Sequence, residues 1–532
     1  MLPGTELYFP YLPIGPMLLA LLLPPIAAVF ILLTLATGKK LGLKGAGILS
    51  SVTLAISTLL LFWVLFQVME KGTAVYEQYS WFSTGDIVIE FSLLSDFLNL
   101  PLTLAIISLA TVSSIYSIEY IKEKHDFELY YFNLLLFATG MLGVTLATNL
   151  IQFYLFFEGM NIPAFFLVSG WGTKKAKTIA LKYILYVVAG ALCLLAGIVW
   201  TYSLTNSFGI YEIPVELSGI QYQNVTLFRT IALFISTGFG IKMGVFPVHS
   251  WLPDFHGEAP VPIHALLSAV MIKTGAYGLV RITYFFFPQV ISDSSFLLAI
   301  IGLISMFWGA GMALVQVDFK RVLAYSSVNQ VGYILLGLST GTTAGIAGGL
   351  FHMITHGLAK GILLYSAGSL VHSAGTKYIP KLGGVSRKMP LTATVALIGA
   401  LAIAGTPPLA TFPSEFLIFA GTFQAGYTLI AILGVMSTAL TAGYYLWTIR
   451  RMFFGPDSKE LDIMYDRYIK GIEIPDEGIP RRFEDVKESP AIMILPMLLI
   501  ASLVVIFGIF PWIVLQIIYP ISETLSNLIG GV

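Results

Sequence analysis

Seven ionisable side chains stand inside apolar stretches of this sequence: Glu158, Lys242, Lys273, His352, His356, Lys360 and Glu415. A charge near the middle of a membrane helix costs roughly 3 kcal/mol on insertion scales, so such residues point to function before packing. The chemistry open to this set is transfer of protons or small cations. Glu158 lies in NLIQFYLFFEGMNIP, where a lysine close by would let both groups carry charge; the plainer reading is a carboxylate at the membrane interface. Lys242 precedes Pro247 in GIKMGVFPVHSWLP. Proline removes a backbone donor and frees carbonyls that an ammonium or water can meet, whereas a snorkelling lysine would need only a nearby interface. Lys273 lies deeper in its apolar run than Lys242 does. His352, His356 and Lys360 fall at i, i+4 and i+8 in GLFHMITHGLAKGILL, on one helix face. Histidine can take a proton on one ring nitrogen and release it from the other. Two histidines four apart also match a metal-ligand spacing, but no glutamate intervenes and no third ligand is near, so no metal site is expected.

His249, His256, Glu258 and His264 cluster in a Pro-, Gly- and His-rich break between Lys242 and Lys273. They read as the inner mouth of a proton path or, more plainly, as exposed loop residues. Glu415, in GTPPLATFPSEFLIFAG, reads as the terminal carboxylate facing the opposite side. Tyr277, Tyr325 and Asn329 are of the right types to hold bridging waters between these groups.

The elements that must position these groups are membrane helices. Of 532 residues 57% are hydrophobic and 11% charged, with mean hydropathy +0.84; soluble domains carry about 25% charged residues. The formal net charge of zero argues against nucleic acid as a partner. Cys193 is the sole cysteine, so no disulfide, iron–sulfur or cysteine-based zinc site can form within the chain. Neither a Walker-type phosphate loop nor a dinucleotide fingerprict after a strand is present. No cofactor is expected, and energy must come from an ion gradient or from a partner. The first apolar run lacks a basic n-region and a cleavage site, and reads as a retained span.

The expected fold class is an all-α polytopic membrane protein. About fourteen spans fall near 12–37, 46–69, 93–120, 129–148, 150–171, 179–205, 227–248, 260–287, 294–316, 321–340, 344–372, 391–424, 427–453 and 490–519. The twelfth is too long for one helix and holds Gly405, Pro407, Pro408 and Pro413, so a break is expected there. Lysines and arginines gather after odd-numbered spans, as at Lys39, Lys122, Lys174, Lys320, Lys377 and Arg450; that asymmetry puts those loops in the cytoplasm and both termini outside. Residues 75–94 alternate aromatic, β-branched and polar types and predict a β-hairpin. Lys242 before one proline-containing break and Glu415 after another, 173 residues on, hint at matched broken helices in an inverted repeat. The expected organisation is spans 1–3 over 1–128, a first repeat (spans 4–8) over 129–287 and a second (spans 9–13) over 294–454. A cytoplasmic hydrophilic segment follows at 455–489, a potential docking surface for another subunit, then span 14 and a tail over 490–532.

FYLFFEGMNIPAFFLVSGWG, GFGIKMGVFPVHSWLPDFHGEAPVPIHALLSAVMIKTGAYGLVR, DFKRVLAYSSVNQVGYILLG and FHMITHGLAKGILLYSAGSLVH closely resemble the antiporter-like membrane subunits. That family is shared by respiratory complex I, Mrp-type sodium/proton antiporters and energy-converting membrane-bound hydrogenases. The resemblance covers roughly residues 90 to 455. It implies fourteen helices, two inverted five-helix repeats, broken spans 7 and 12, and a central hydrophilic axis. It further implies that Glu158 and Lys242 form an ion pair and that Lys273, His352, His356, Lys360 and Glu415 continue the path. Glu415 resembles the M-type subunit of complex I, where many relatives carry lysine; Lys360 and the tail from Glu488 look more like the Mrp D-type and hydrogenase relatives. No long lateral helix follows span 14, unlike the L-type subunit.

The implied function is an ion-translocating, non-redox subunit of a multi-subunit complex in the cell inner membrane. Its partners would be other membrane subunits, indirectly a peripheral redox arm, the lipid bilayer, and protons or sodium ions. A stand-alone transporter of a small solute is the alternative, and a quinone-binding redox enzyme lacks any cofactor motif. The choice between H⁺, Na⁺ or both, and the parent complex, stay open at this level.

Overall fold

The computed structural model describes residues 14–84, 87–220, 225–472 and 477–530. The chain is a bundle of long helices: α1 (Pro16–Ala36), α2 (Gly42–Lys71), α3 (Leu100–Tyr120), α4 (Phe127–Leu146), α5 (Leu150–Trp171), α6 (Ala176–Thr205), α7 (Val225–Met243), α8 (Val261–Tyr284), α9 (Pro288–Leu314), α10 (Phe319–Ser339), α11 (Thr343–Ala374), α12 in two arms (Pro390–Ile403 and Thr411–Gln424), α13 (Thr428–Phe453) and α14 (Ala491–Ile509). Eleven of the described helices are long and apolar enough to cross a membrane; the chain is a multi-pass integral membrane protein. The other three expected spans fall on α10, α11 and α12. α10 and α11 carry the polar residues of the interior, and each arm of α12 has only 14 residues, so the fourteen expected spans stand at eleven by that criterion.

α8 is buried throughout, and α10 and α11 are buried along almost their whole length. Lipid-facing apolar residues lie instead on outer helices, such as Leu59 of α2, Leu185 of α6 and Leu429 of α13. The interior is therefore where the polar residues are, the reverse of a soluble domain and the arrangement a bilayer demands.

Two helices break as expected, for visible reasons. α7 stops at Met243, short of the predicted 248, because Gly244 takes the left-handed conformation at φ +74°, which only glycine adopts freely. A short helix, Trp251–Glu258, then precedes α8. The arms of α12 are separated at Gly405, φ +67°, and the Thr411 hydroxyl returns to the Ala402 carbonyl across the gap. The two glycines are closer in sequence than Lys242 and Glu415, so those two side chains do not occupy matching positions relative to the breaks.

Two other boundaries differ from expectation. Span 3 begins at Leu100 rather than 93, because the β-hairpin of β1 (Val75–Thr84) and β2 (Ile87–Ser95) consumes the preceding apolar residues; the hairpin's tip lies outside the described residues. The apolar run is continuous across that point, which hid the change. Span 14 ends at Ile509, and after Pro511 a separate amphipathic helix, Trp512–Leu528, packs against α11, with the Ser526 hydroxyl donating 2.8 Å to the Gly341 carbonyl.

Carboxylates at the helix ends tie the periphery together. Glu77 of the hairpin accepts from the amides of Met17 and Leu18 at 2.8 and 2.9 Å, satisfying orphan donors of α1. Asp96, in the turn ahead of α3, accepts from Leu98 and Asn99 at 3.0 Å each, and takes two bonds from Arg281 of α8 at 2.6 and 2.7 Å. Both members of that pair are buried.

Removing one partner of a buried pair leaves an uncompensated ion, which costs about 3–5 kcal/mol. Arg281→Met is expected to lower the thermal unfolding midpoint of the purified chain clearly. Combining it with Asp96→Asn, which keeps a side-chain acceptor for the Leu98 and Asn99 amides, should recover most of that loss. Equal midpoints for the parent and Arg281→Met would refute this account.

Candidate functional site

The ionisable residues of the interior fall into two groups. In the first, Glu158 sits half-buried near the middle of α5, and one turn later Asn161 donates its amide 3.1 Å to Glu158 Oε1. The Lys242 amine, buried at the end of α7, donates to Asn161 Oδ1, which also accepts from the Tyr183 hydroxyl at 2.8 Å. The amine lies 5.1 Å from the centre of the Phe157 ring, within cation–π range. Among the described residues no carboxylate stands within 4.0 Å of Lys242. The ion pair expected between Glu158 and Lys242 is thus bridged by Asn161 rather than direct, because the asparagine, at i+3 on the same helix face, occupies the space between them.

The second group surrounds Lys273, fully buried in α8. Just before it, Leu267–Met271 forms a π-helical turn. The wider turn displaces the backbone ladder from its regular register, and the Lys273 amine reaches back to the Ser268 carbonyl at 2.5 Å. The Ser268 hydroxyl lies 2.6 Å from that of Ser327 in α10, and Ser327 donates to the Leu323 carbonyl at 3.1 Å. The same carbonyl accepts from the Lys360 amine of α11 at 2.8 Å, using the second lone pair of the oxygen. Lys360 also donates 3.1 Å to the Tyr445 hydroxyl of α13. Two lysines on different helices are thereby joined through two serines and two carbonyls, those of Ser268 and Leu323. Between the two groups, the Tyr183 hydroxyl contacts the Met271 sulfur at 3.9 Å.

His352 and His356 stack on one face of α11, ring centres 5.8 Å apart and planes 5° from parallel. His352 Nε2 lies 2.7 Å from Gln330 Oε1, and Nδ1 lies 2.9 Å from the Ser414 hydroxyl. The amide oxygen can only accept, so Nε2 carries a hydrogen. Ser414 also lies 2.8 Å from the Thr411 carbonyl. A neutral His352 accepts from Ser414; a protonated one donates to it while the serine hydrogen turns to Thr411. The site holds either state without moving a heavy atom. Neither ring nitrogen of His356 has a hydrogen-bond partner among the described residues.

Glu415 is buried in the second arm of α12, its Oε1 without a hydrogen-bond partner among the described residues. A Cβ on Gly405 would come within 2.5 Å of its Oε2, so the glycine that breaks the helix also makes room for the carboxylate.

The residues read as the inner mouth are not exposed loop residues. His256 and His264 are fully buried with rings 5.1 Å apart, and none of their four ring nitrogens has a partner among the described residues. His249 stacks on Phe246 at 5.6 Å and meets Trp308 edge-on at 5.9 Å. Glu258 accepts from Thr173 and lies 4.0 Å from the Lys377 amine, in an ion cluster with Asp318. Of the residues read as water holders, Tyr277 belongs to the Arg281 lock, Tyr325 is half-buried, and Asn329 bonds Gln330 and the Met306 carbonyl.

Reasoning from the sequence passed over Asn161, Ser268, Ser327, Ser414 and Tyr445. Asn161 had a signal, a polar residue one turn from Glu158. The two serines had none, since serine is common in such helices and their pairing depends on where α8 crosses α10.

Residues 147–441 match the family described as NADH:quinone oxidoreductase/Mrp antiporter, TM. F(420)H(2) dehydrogenase subunit M of Methanosarcina mazei is 30% identical over 518 residues, covering 96% of this chain and 99% of that one. A chain of respiratory complex I from Thermus thermophilus superposes with TM-score 0.81 at 25% identity, covering 97% of this chain and 100% of its own length. A chain of the membrane-bound sulfane sulfur reductase, an archaeal respiratory membrane complex, does so with TM-score 0.82 at 25% identity over 96% and 98%. With more than half its length matched, and helix breaks and buried ionisable residues in one continuous interior, the chain belongs to the NADH:quinone oxidoreductase/Mrp antiporter transmembrane family.

Proposed function

We propose that this chain is the ion-translocating membrane subunit of a multi-subunit respiratory complex and that it moves protons. The observation that carries the reading is the link Lys273–Ser268–Ser327–Leu323–Lys360, which joins two buried amines across three helices. Neither amine has a carboxylate within 4.0 Å among the described residues. Two uncompensated lysines in an apolar interior have no stabilising role that an apolar pair would not fill better; a buried amine readily gives up and regains a proton, while the carbonyls of Ser268 and Leu323, which only accept, hold the two amines in place.

In this reading Glu158 and Lys242, bridged by Asn161, form the charge pair that responds to the rest of the complex. A proton shift there changes the field at Lys273. The proton passes through Lys273 and Lys360 with His356 and His352 alongside, and leaves by Glu415. His249, His256, Glu258 and His264 form the inner mouth. The two broken helices belong to two inverted repeats, spans 4–8 and 9–13, with both termini on the outer side of the cytoplasmic membrane. The relatives named as subunits of dehydrogenase and respiratory complexes support membrane subunits as partners and a peripheral redox arm as the distant source of energy.

Lys273→Ala is expected to abolish proton uptake by inverted membrane vesicles carrying the assembled complex, read by a pH-sensitive dye, with the subunit's abundance unchanged. Parent-level uptake in that variant would sink the reading. Sodium uptake measured in parallel separates proton pumping from sodium/proton exchange.

Asn161→Leu removes the bridge and leaves the Lys242 amine without its acceptor. A fall of about tenfold in uptake rate is expected, the size of one lost charge-assisted hydrogen bond of about 1.4 kcal/mol. An unchanged rate would mean that the two ions communicate without the asparagine.

A further inference from the structure

Beside the inner mouth, and touching it at Glu258, lies an ion cluster whose other members have no assigned part in translocation. Its odd member is Glu477, carried by the hydrophilic segment between α13 and α14. This carboxylate is nearly buried, at 7% side-chain exposure. Both its oxygens accept from the Lys320 amine at 3.0 Å, and Oε1 also accepts from the Tyr120 hydroxyl at 3.0 Å. Lys320 is itself fully buried in the first turn of α10, and its amine donates 2.6 Å to the Ala259 carbonyl. Ala259 is the turn residue between the Trp251–Glu258 helix and α8, hence between His256 and His264. Close by, Lys377 pairs with Asp318 at 3.0 Å and reaches the Gly257 carbonyl at 3.4 Å.

The segment is seated without slack. A Cβ on Gly478 would meet the Val371 carbonyl at 2.7 Å, and one on Gly375 would run into the backbone of Ile479. Burial alone would push the Glu477 carboxyl up, yet Lys320 and then Lys377 hold it below the ordinary carboxylate range, so it stays an anion.

We propose that Glu477 is a positioning residue for translocation: it neutralises Lys320 and, through that lysine, holds the Ala259 turn that sets the His256–His264 pair. The inference rests on the translocation reading above. Its physical content is charge compensation. Without the carboxylate, a fully buried ammonium loses its only hydrogen-bonded counter-ion among the described residues, next to the histidines a proton must approach. The hydrophilic segment is then a working part of the inner mouth and not merely a solvated connection.

The test is a double-mutant cycle in the assembled complex, scored by proton uptake in inverted vesicles. Glu477→Gln is expected to slow uptake about tenfold when Lys320 is present and less than twofold in a Lys320→Gln background, where there is no charge left to compensate. A merely structural role in seating the segment would cost the same factor in both backgrounds, and that additive result overturns the proposal, as does parent-level uptake in Glu477→Gln alone. If Glu477→Gln also lowers assembly, uptake is normalised to the amount of assembled complex, and parent-level normalised uptake overturns the proposal. Lys273→Ala in the same vesicles separates the two readings. Uptake persisting there removes the translocation function itself, whereas uptake lost there with an additive cycle removes only the role of Glu477.

Discussion

An ammonium buried in an apolar interior must meet an acceptor, and a regular helix offers none, since its carbonyls are committed to its own ladder. Every unusual feature of the interior answers that constraint. The π-helical turn ahead of Lys273 lets its amine reach the Ser268 carbonyl of its own helix. Lys360 shares a carbonyl of α10 that is already in use, and adds a tyrosine hydroxyl from α13. Lys242 takes a side-chain amide from α5. Lys242 thereby ties α7 to α5, and Lys360 ties α11 to α10 and α13, while Lys273 bonds within α8, which the Ser268–Ser327 contact joins to α10.

The rim of the molecule solves the same problem with carboxylates. Glu77 and Asp318 accept from the first amides of a helix, the place where the backbone has donors to spare, and Asp96 accepts from the turn just ahead of one. Asp96 and Asp318 also pair with a cation, Arg281 and Lys377. These rim carboxylates are paired, whereas Lys273 and Lys360 of the interior have no carboxylate within 4.0 Å among the described residues. His352, also in the interior, has Ser414 and Thr411 arranged to accept either of its protonation states.

Much of this was legible beforehand because charge in an apolar run is a loud signal. The positions of Glu158, Lys242, Lys273, the His352–His356–Lys360 face and Glu415 follow from that signal alone, as do both helix breaks, marked by glycine and proline. Boundaries where one apolar element gives way to another were not legible: the hairpin strand running into α3, and α14 giving way at Pro511 to an amphipathic helix. Hydropathy does not distinguish a strand from a helix in such a run. The buried state of His256 and His264 was also hidden, since a Pro- and Gly-rich stretch reads as an exposed loop unless its packing is known.

By itself, then, the sequence determined which residues would carry charge inside a membrane and where the helices had to break, because those are properties of single residues and their immediate neighbours. Only the tertiary structure decided what each charge touches. That Asn161 stands between Glu158 and Lys242, that two unremarkable serines join Lys273 to Lys360, and that Glu477 reaches Lys320 from a hydrophilic segment 157 residues away are all consequences of helix crossing. A hydrogen bond between elements depends on geometry to within a few tenths of an ångström, and no local pattern of residues encodes that.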